Sequence, residues 1–207
     1  MQKKIISILI FLHFCLSCNN SGNKNIKDFE NVFEISAIDA VKFGLPAIDF
    51  KITYPDDIEA ISAKEGEYNP NYIEFYYIED EVFHESLSIG IYESASLADE
   101  FIKQSLLDQY IAQYQSQLLD IEVVFNGQGD FMGKQLYQLK LKFEIVDEMY
   151  GYKGNYKMLL VLYPPDNGSE NGVLLIFQAT ENSDIEDFND FGKEGKTAKI
   201  WQTFRFI

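Results

Sequence analysis

The sequence predicts an α+β fold, in which an antiparallel sheet has helices packed on its faces. Beyond residue 45, most segments alternate apolar and polar residues with a period of two, which is typical of strands with one buried face. One segment, 96–118, instead places apolar residues three and four positions apart, as an amphipathic helix does. Because strands follow one another across short gaps on both sides of this helix, antiparallel pairing is expected.

The first predicted strands precede the helix. Apolar residues alternate over 48–54, and the turn signal Pro55-Asp56-Asp57 is expected to end that strand. Segments 72–79 and 86–92 alternate in the same way, and we expect them to form a hairpin around the acidic connection 79–85.

The predicted helix starts near Ser96, with Asp99 three residues on as in a capping box. Its apolar side chains recur at helical spacing and are expected to face the core. These side chains are Phe101, Ile102, Leu106, Tyr110, Tyr114 and Leu118.

Further strands are predicted after the helix. A strand is expected over 121–125, followed by a turn at Asn126-Gly127. Segment 137–145 alternates apolar and polar residues, which predicts a strand with one buried and one solvent-exposed face. Segments 158–163 and 173–177 are apolar on both faces, which indicates the middle of the sheet. We expect a short helix at 185–191 and a terminal one from Lys196, with Ile200, Trp201 and Phe204 facing inward.

The N-terminal segment has the pattern of a bacterial export signal. Lys3 and Lys4 precede an apolar run of about a dozen residues, which is too short for a membrane span of roughly 20. Leu16-Ser17-Cys18 resembles the end of a lipobox, although Cys15 occupies the position where leucine is usual. We therefore expect a signal peptide at 1–17 and lipid attachment at Cys18. An ordinary secretory signal cut nearby is the alternative.

The segment 18–31 is rich in Asn, Ser, Gly and Lys, which predicts a flexible tether between the anchor and one domain at 32–207. Fully extended, a dozen residues span about 40 Å. These features predict a protein of the bacterial cell envelope, held by its lipid on a membrane and facing the periplasm or the cell surface.

The charge balance excludes nucleic acid as a partner. The chain has 17 basic and 33 acidic residues, a net charge of −16, and Arg205 is its only arginine. A phosphate backbone requires a basic patch, which this composition does not predict.

The search for chemistry predicts no catalytic residue, no metal site and no cofactor. Past the signal, His84 is the only histidine, and we expect it in a polar connection. Gly127-Gln128-Gly129 lies between strand patterns, which favours a hairpin turn over a dinucleotide loop. The acidic run 184–190 lacks the glycine and final glutamate of a calcium loop, so a helix N-terminus is favoured over weak calcium binding.

Tyrosines concentrate in two polar stretches, a composition found in contact surfaces for protein or sugar. Amphipathic rings on the wet face of the sheet are the more ordinary interpretation. The tyrosines concerned are Tyr68, Tyr72, Tyr76, Tyr77, Tyr150, Tyr152 and Tyr156.

Four features of the chain form a recognisable combination. They are Phe50-Lys51-Ile52-Thr53-Tyr54-Pro55, a central helix, Gly133 before a long strand, and Ile200-Trp201-Gln202-Thr203-Phe204-Arg205-Phe206 at the end. Together they resemble the PsbP-like superfamily. The resemblance covers roughly residues 45–207. It implies an αβα sandwich and an accessory or binding role without catalysis. A departure is the long loop expected from Asp147 to Tyr156, whose role the resemblance does not explain.

Together these features predict a lipid-anchored, non-catalytic accessory or binding module of the cell envelope that engages a protein partner. Two alternatives remain open at this point: a hydrolase that works with carboxylates, and a module that binds a cation or another small ligand.

Overall fold

Ten strands and three helices are present in the part of the chain that the computed structural model describes, residues 31–93, 99–118, 120–149, 151–167 and 169–207. The strands are β1 (Asn31–Ile35), β2 (Phe50–Tyr54), β3 (Glu59–Ser62), β4 (Asn71–Glu79), β5 (Val82–Tyr92), β6 (Glu122–Phe131), β7 (Lys134–Met149), β8 (Tyr152–Tyr163), β9 (Gly172–Thr180) and β10 (Arg205–Phe206). The helices are α1 (Ala37–Lys42), α2 (Glu100–Gln117) and α3 (Gly195–Trp201). None of the helices in these ranges is long and apolar enough to cross a membrane.

The strands form two sheets in which every pair is antiparallel. The larger sheet has the order β3-β4-β5-β9-β8-β7-β6, and the smaller has the order β1-β2-β10. The predicted α+β fold with an antiparallel sheet is therefore confirmed. The second sheet was not predicted, because β1 and β10 are short and lie far apart in the sequence.

Two hydrophobic cores lie on opposite faces of the larger sheet. One core contains Phe50 of the smaller sheet and Ile200 of α3, and the other contains Leu107 of α2. Strand β8 contributes side chains to both cores, since Leu159 is buried in one and Leu160 in the other. This confirms the prediction that β8 and β9 are central strands, which need apolar residues on both faces.

The prediction of a turn at Asn126-Gly127 is wrong, because β6 continues through both residues to Phe131. The chain instead reverses at Met132-Gly133, where Phe131 pairs with Lys134. Both turn residues have positive φ, 52° and 83°, as two-residue hairpin turns of this type require. Strand β6 lies at the edge of the sheet, where interior glycines are tolerated.

Two predicted connections are shorter in the structure. Strands β4 and β5 are joined by Asp80-Glu81 alone, so His84 lies inside β5 and not in a polar connection. The long loop expected over 147–156 is a hairpin, since β7 runs to Met149 and β8 begins at Tyr152. The polar residues of these strands lie near hairpin ends, where their pattern is the same as that of a loop.

Helix α2 begins at Glu100, where the Asp99 carboxylate accepts a hydrogen bond of 2.8 Å from the Phe101 N–H. The expected start at Ser96 lies outside the described residues. The predicted set of buried residues on α2 is partly wrong. Phe101 is 80% exposed, and the fully buried residue of this helix is Leu107, which was not in the set. The remaining members pack against the core as expected, apart from Ile102, which is 40% exposed; they are Leu106, Tyr110, Tyr114 and Leu118.

The helix expected at 185–191 is a series of turns. The Asp190 carboxylate accepts hydrogen bonds from the N–H groups of Glu186 (3.1 Å) and Asp187 (2.6 Å), and such bonds compete with helix formation. The terminal helix is confirmed as α3, and the three residues expected to face inward are buried: Ile200, Trp201 and Phe204.

Candidate functional site

The lipid-attachment residue predicted from the sequence, Cys18, lies outside the described residues, as do the signal peptide and nearly all of the tether. The described part overlaps the predicted tether at Asn31 alone, which is the first residue of β1.

The acidic run 184–190, considered for weak calcium binding, is held by a lysine. Lys157 Nζ donates hydrogen bonds to the carbonyl oxygens of Ile185 (2.7 Å) and Glu186 (2.8 Å). The Lys157 ammonium thus occupies two of the backbone carbonyl oxygens of this run. Within the described ranges, no group of three or more His, Cys, Asp or Glu side chains could hold a metal ion.

His84 packs against a tyrosine. Its ring lies 5.0 Å from the ring of Tyr77, and the Lys196 ammonium lies 5.1 Å from that Tyr77 ring. Lys196 also forms a 2.8 Å salt bridge with Asp57. Burial, with smaller effects of nearby acidic groups, raises the pKa of Tyr77 to about 12. The phenol is therefore neutral at physiological pH, which suits a packing role better than that of a base.

Glu85 is the described acidic residue that is buried, with 1% exposure. Its carboxylate accepts hydrogen bonds from the N–H groups of Lys196 (3.1 Å) and Thr197 (3.0 Å) at the start of α3. The Thr197 hydroxyl donates a third, at 2.7 Å. The Glu85 carboxylate therefore caps the start of α3, and this structural role explains why an acidic side chain is buried here.

The tyrosines considered as one contact surface lie on different faces of the sheet and differ in burial. Tyr72 and Tyr156 are buried, at 0% and 3% exposure, whereas Tyr68 is 77% exposed. Tyr77 packs against the core beneath α3, and Tyr76 packs against the core beneath α2. Tyr150 lies outside the described residues. Because Tyr76 and Tyr77 point to opposite faces of the sheet, these side chains do not form one contact surface.

A cleft that the sequence did not predict lies where the β6–β7 turn, the end of β8 and the C-terminal segment meet. Its volume is about 250 Å³. We call it the C-terminal cleft, and the residues that line it are Phe131, Met132, Lys134, Tyr163, Trp201, Gln202 and Arg205.

The floor of the C-terminal cleft is a cluster of aromatic rings. Trp201, 5% exposed, meets the Tyr163 ring edge-on at 4.9 Å and the Phe131 ring at 6.3 Å. Phe204 stacks on Trp201 from within the core, at 4.8 Å. Rings packed on several sides have few alternative rotamers, so this floor is rigid.

The chain after α3 is tied to β2, which places Arg205 at the cleft. Thr203 Oγ1 accepts a 2.8 Å hydrogen bond from the Thr53 N–H, and Arg205 then pairs with Lys51 in the smaller sheet. Arg205 Nη1 donates to the carbonyl oxygens of Gln202, at 2.9 Å, and of Phe204. A guanidinium has five N–H donors, so these bonds leave others free to meet a ligand.

Lys134 provides the second positive charge of the cleft. Its Nζ donates a 2.6 Å hydrogen bond to the Tyr163 hydroxyl and lies 4.6 Å from the centre of that ring. In the described part of the chain, salt bridges involve Lys42, Lys51 and Lys196, and neither Lys134 nor Arg205 has a carboxylate partner. Both cations are therefore available to a bound acidic group.

The sequence contained part of the signal for this cleft. Its only tryptophan and its only arginine stand four residues apart, at Trp201 and Arg205. Neither local pattern nor composition indicated that Lys134 and Tyr163 would join them, because this contact depends on the order of the strands.

No family model matches the chain, and no curated protein matches it in sequence. In structure, the chain is similar to the solution structure of cyanobacterial PsbP (CyanoP) from Synechocystis sp. PCC 6803, at 13% sequence identity and a TM-score of 0.46. The match covers 90% of this chain and 98% of that chain. Nothing about the family, the ligands or the partners of this chain follows from it.

Proposed function

We propose that this chain is a lipid-anchored, non-catalytic binding module of the bacterial cell envelope, and that it engages a protein partner at the C-terminal cleft. The observation that carries the proposal is the cleft itself, which is lined by the packed rings of Trp201 and Tyr163 and by two cations that have no carboxylate partner among the described residues. Tryptophan, tyrosine and arginine are the residues most enriched among those that dominate protein–protein binding energy.

The size of the cleft favours a protein partner over a small ligand. Pockets for small molecules typically measure about 300–1,000 Å³ and enclose most of their ligand. A cleft of about 250 Å³ takes one side chain presented by a larger partner. The surrounding surface then supplies the rest of the contact.

The anchor follows from the N-terminal sequence. Acylation at Cys18 with two or three chains would hold the protein on its membrane, because one chain gives only marginal binding. The predicted tether, 18–31, would let the folded part reach a neighbouring envelope protein. A non-catalytic role is supported by the capping function of the buried Glu85 and by the packing of His84 against Tyr77.

Site-specific cross-linking in intact cells of the native producer tests this function. A photoreactive amino acid would replace Met132, which is 41% exposed at the rim of the cleft, and in a control would replace the exposed Lys64. We expect one envelope protein to be recovered with the Met132 probe and not with the Lys64 probe. Turnover of an envelope polymer by the purified full chain, lost on a single acidic substitution, would overturn the proposal.

A further inference from the structure

Positive charge is concentrated at the C-terminal end of this acidic chain. The side chains of residues 193–207 include four basic groups and one acidic group, a net charge of +3, whereas the whole chain has −16. These basic residues are Lys193, Lys196, Lys199 and Arg205. Lys134 joins this region only in the folded protein, where it lines the C-terminal cleft.

Two cations line the same cleft as the aromatic floor. Lys134 lies over the Tyr163 ring, and Arg205 is held at the end of α3 by backbone carbonyls. Backbone contacts of this kind fix the position of the guanidinium without neutralising it. Carboxylates pair well with such an oriented guanidinium, and an aromatic or large apolar side chain packs well on Trp201 and Tyr163.

We propose that the C-terminal cleft binds an acidic segment of its protein partner, which inserts one aromatic or large apolar side chain between Lys134 and Arg205. This inference rests on the proposed function and specifies the chemistry of the partner. Complementary charge is the argument for it, since these cations lack acidic partners in the described part of the chain.

A short acidic peptide fits better than an extended polyanion. Two cations are few for a phosphate backbone, whose binding scales with the number of phosphates neutralised. An anionic membrane surface is also disfavoured as the ligand, because it would be repelled by a chain with a net charge of −16. A short peptide contacts the cleft alone, and beyond roughly 10 Å salt screens the surrounding negative charge.

Trp201 allows a direct binding measurement, because it is the only tryptophan in the chain and lies in the cleft. The purified full chain would be titrated with a five-residue peptide of Asp and Glu around a central Phe. Two control peptides replace the Phe by Ala, or the acids by Lys. We expect a saturable change in fluorescence with the first peptide, about tenfold weaker binding with Ala, and no saturation with the basic peptide.

A pair of substitutions at one position isolates the role of charge. Met132 has a positive φ of 52°, which both Asp and Asn tolerate better than most residues. Met132→Asp adds a carboxylate at the rim, and Met132→Asn adds a neutral group of nearly the same shape. We expect Met132→Asp to weaken binding of the acidic peptide about tenfold relative to Met132→Asn, with similar melting temperatures for the two.

The cations themselves are tested by Lys134→Gln and Arg205→Gln, with Lys64→Gln as a control for the loss of a remote charge. We expect each cleft substitution to weaken peptide binding by about threefold to tenfold, more at low salt, and the control to have no effect. Equal losses from Lys64→Gln, equal binding of the basic peptide, or binding of phosphatidylglycerol vesicles in place of the acidic peptide would each overturn the inference.

The failure of this inference can be told apart from failure of the proposed function. If the double variant Lys134→Gln/Arg205→Gln is cross-linked to the partner as efficiently as the native chain, the protein remains a binding module and the acidic-segment chemistry is wrong. If no envelope protein is cross-linked at all and the purified chain turns over a substrate, the proposed function itself is wrong.

Discussion

Glu85 and Thr197 are joined by two hydrogen bonds that link β5 to the start of α3 across 112 positions of sequence. The Glu85 carboxylate accepts from the Thr197 N–H at 3.0 Å and from its hydroxyl at 2.7 Å. Both residues are 1% exposed. Because α3 carries Trp201, this buried contact positions part of the floor of the C-terminal cleft.

Removal of the Glu85 carboxylate is expected to destabilise the fold. Glu85→Ala leaves the N–H groups of Lys196 and Thr197 buried without their acceptor, so we expect the free energy of unfolding to fall by about 3 kcal/mol. Glu85→Gln keeps one acceptor oxygen and should cost about half as much. Urea denaturation measures both, with the exposed Glu59→Ala as a control. A loss below about 0.5 kcal/mol for Glu85→Ala would show that the contact contributes little.

Gly195 has to lack a side chain for this contact to form. Its φ is +81°, and a Cβ would lie 2.5 Å from Glu85 Oε1 and 2.6 Å from Oε2. Gly66 has the same φ of +81° with no atom within 4 Å of that position, so it is a matched control. We expect Gly66→Ala to cost about 1 kcal/mol from backbone strain, and Gly195→Ala to cost clearly more.

The clash at Gly195 can be confirmed by a double-mutant cycle. If the carboxylate causes the extra loss, Gly195→Ala should cost less in a Glu85→Ala background than in the native chain. Strictly additive losses would show that the clash does not exist.

Alkaline pH is expected to unfold the protein through its tyrosines. Burial raises the pKa of Tyr72 and Tyr114 well above the usual value of 10, and that of Tyr77 to about 12. Above pH 10 the unfolded chain loses phenolic protons that the folded chain keeps, so stability is complete below pH 10 and falls as pH rises toward 12 and beyond.

Circular dichroism and tyrosinate absorbance, followed together against pH, test this alkaline transition. We expect a group of tyrosines to ionise only as the fold is lost. Tyr72→Phe should make the loss of stability above pH 10 less steep, although it also removes the 2.9 Å bond to the Pro46 carbonyl. Full ionisation of the tyrosines before any loss of structure would contradict the expectation.

Gln138 is expected to hold a buried water. Its side chain is 0% exposed, and neither amide atom has a hydrogen-bond partner among the described residues. Gln138 is one of the residues that line a polar cavity of about 20 Å³, together with Asp130 and Lys193, and a cavity of that size accommodates one water. Gln138→Leu removes two partners of that water, so we expect the free energy of unfolding to fall by about 1–2 kcal/mol. A gain in stability would indicate a dry cavity.

Membrane anchoring depends on Cys18 in our interpretation. Cys18→Ala should move the protein from the membrane fraction to the soluble fraction and abolish incorporation of labelled palmitate. Fractionation of the native producer measures this, with Cys15→Ala as a control, because that residue is expected to leave with the signal peptide. Continued membrane association of the Cys18→Ala protein would contradict lipid anchoring at this residue.

Long periodic segments were predicted well, and segments near turns were predicted poorly. The apolar runs of β8 and β9 indicated central strands, because burial on both faces leaves a continuous local pattern. Gly127 is typical of a turn in sequence, but in the structure it lies inside the edge strand β6. Phe101 has the spacing of a buried residue, but its side chain is 80% exposed, whereas Leu107 of the same helix is fully buried.

Composition and local patterns predict the α+β class, the central strands, the terminal helix, the acidic charge and the lipid anchor, because each of these is encoded within a few residues. The capping of α3 by Glu85, and the meeting of Lys134, Tyr163 and Arg205 around Trp201, depend on the tertiary fold. The order of the strands and the pairing of β10 with β2 bring these distant residues together, and no local pattern encodes that pairing.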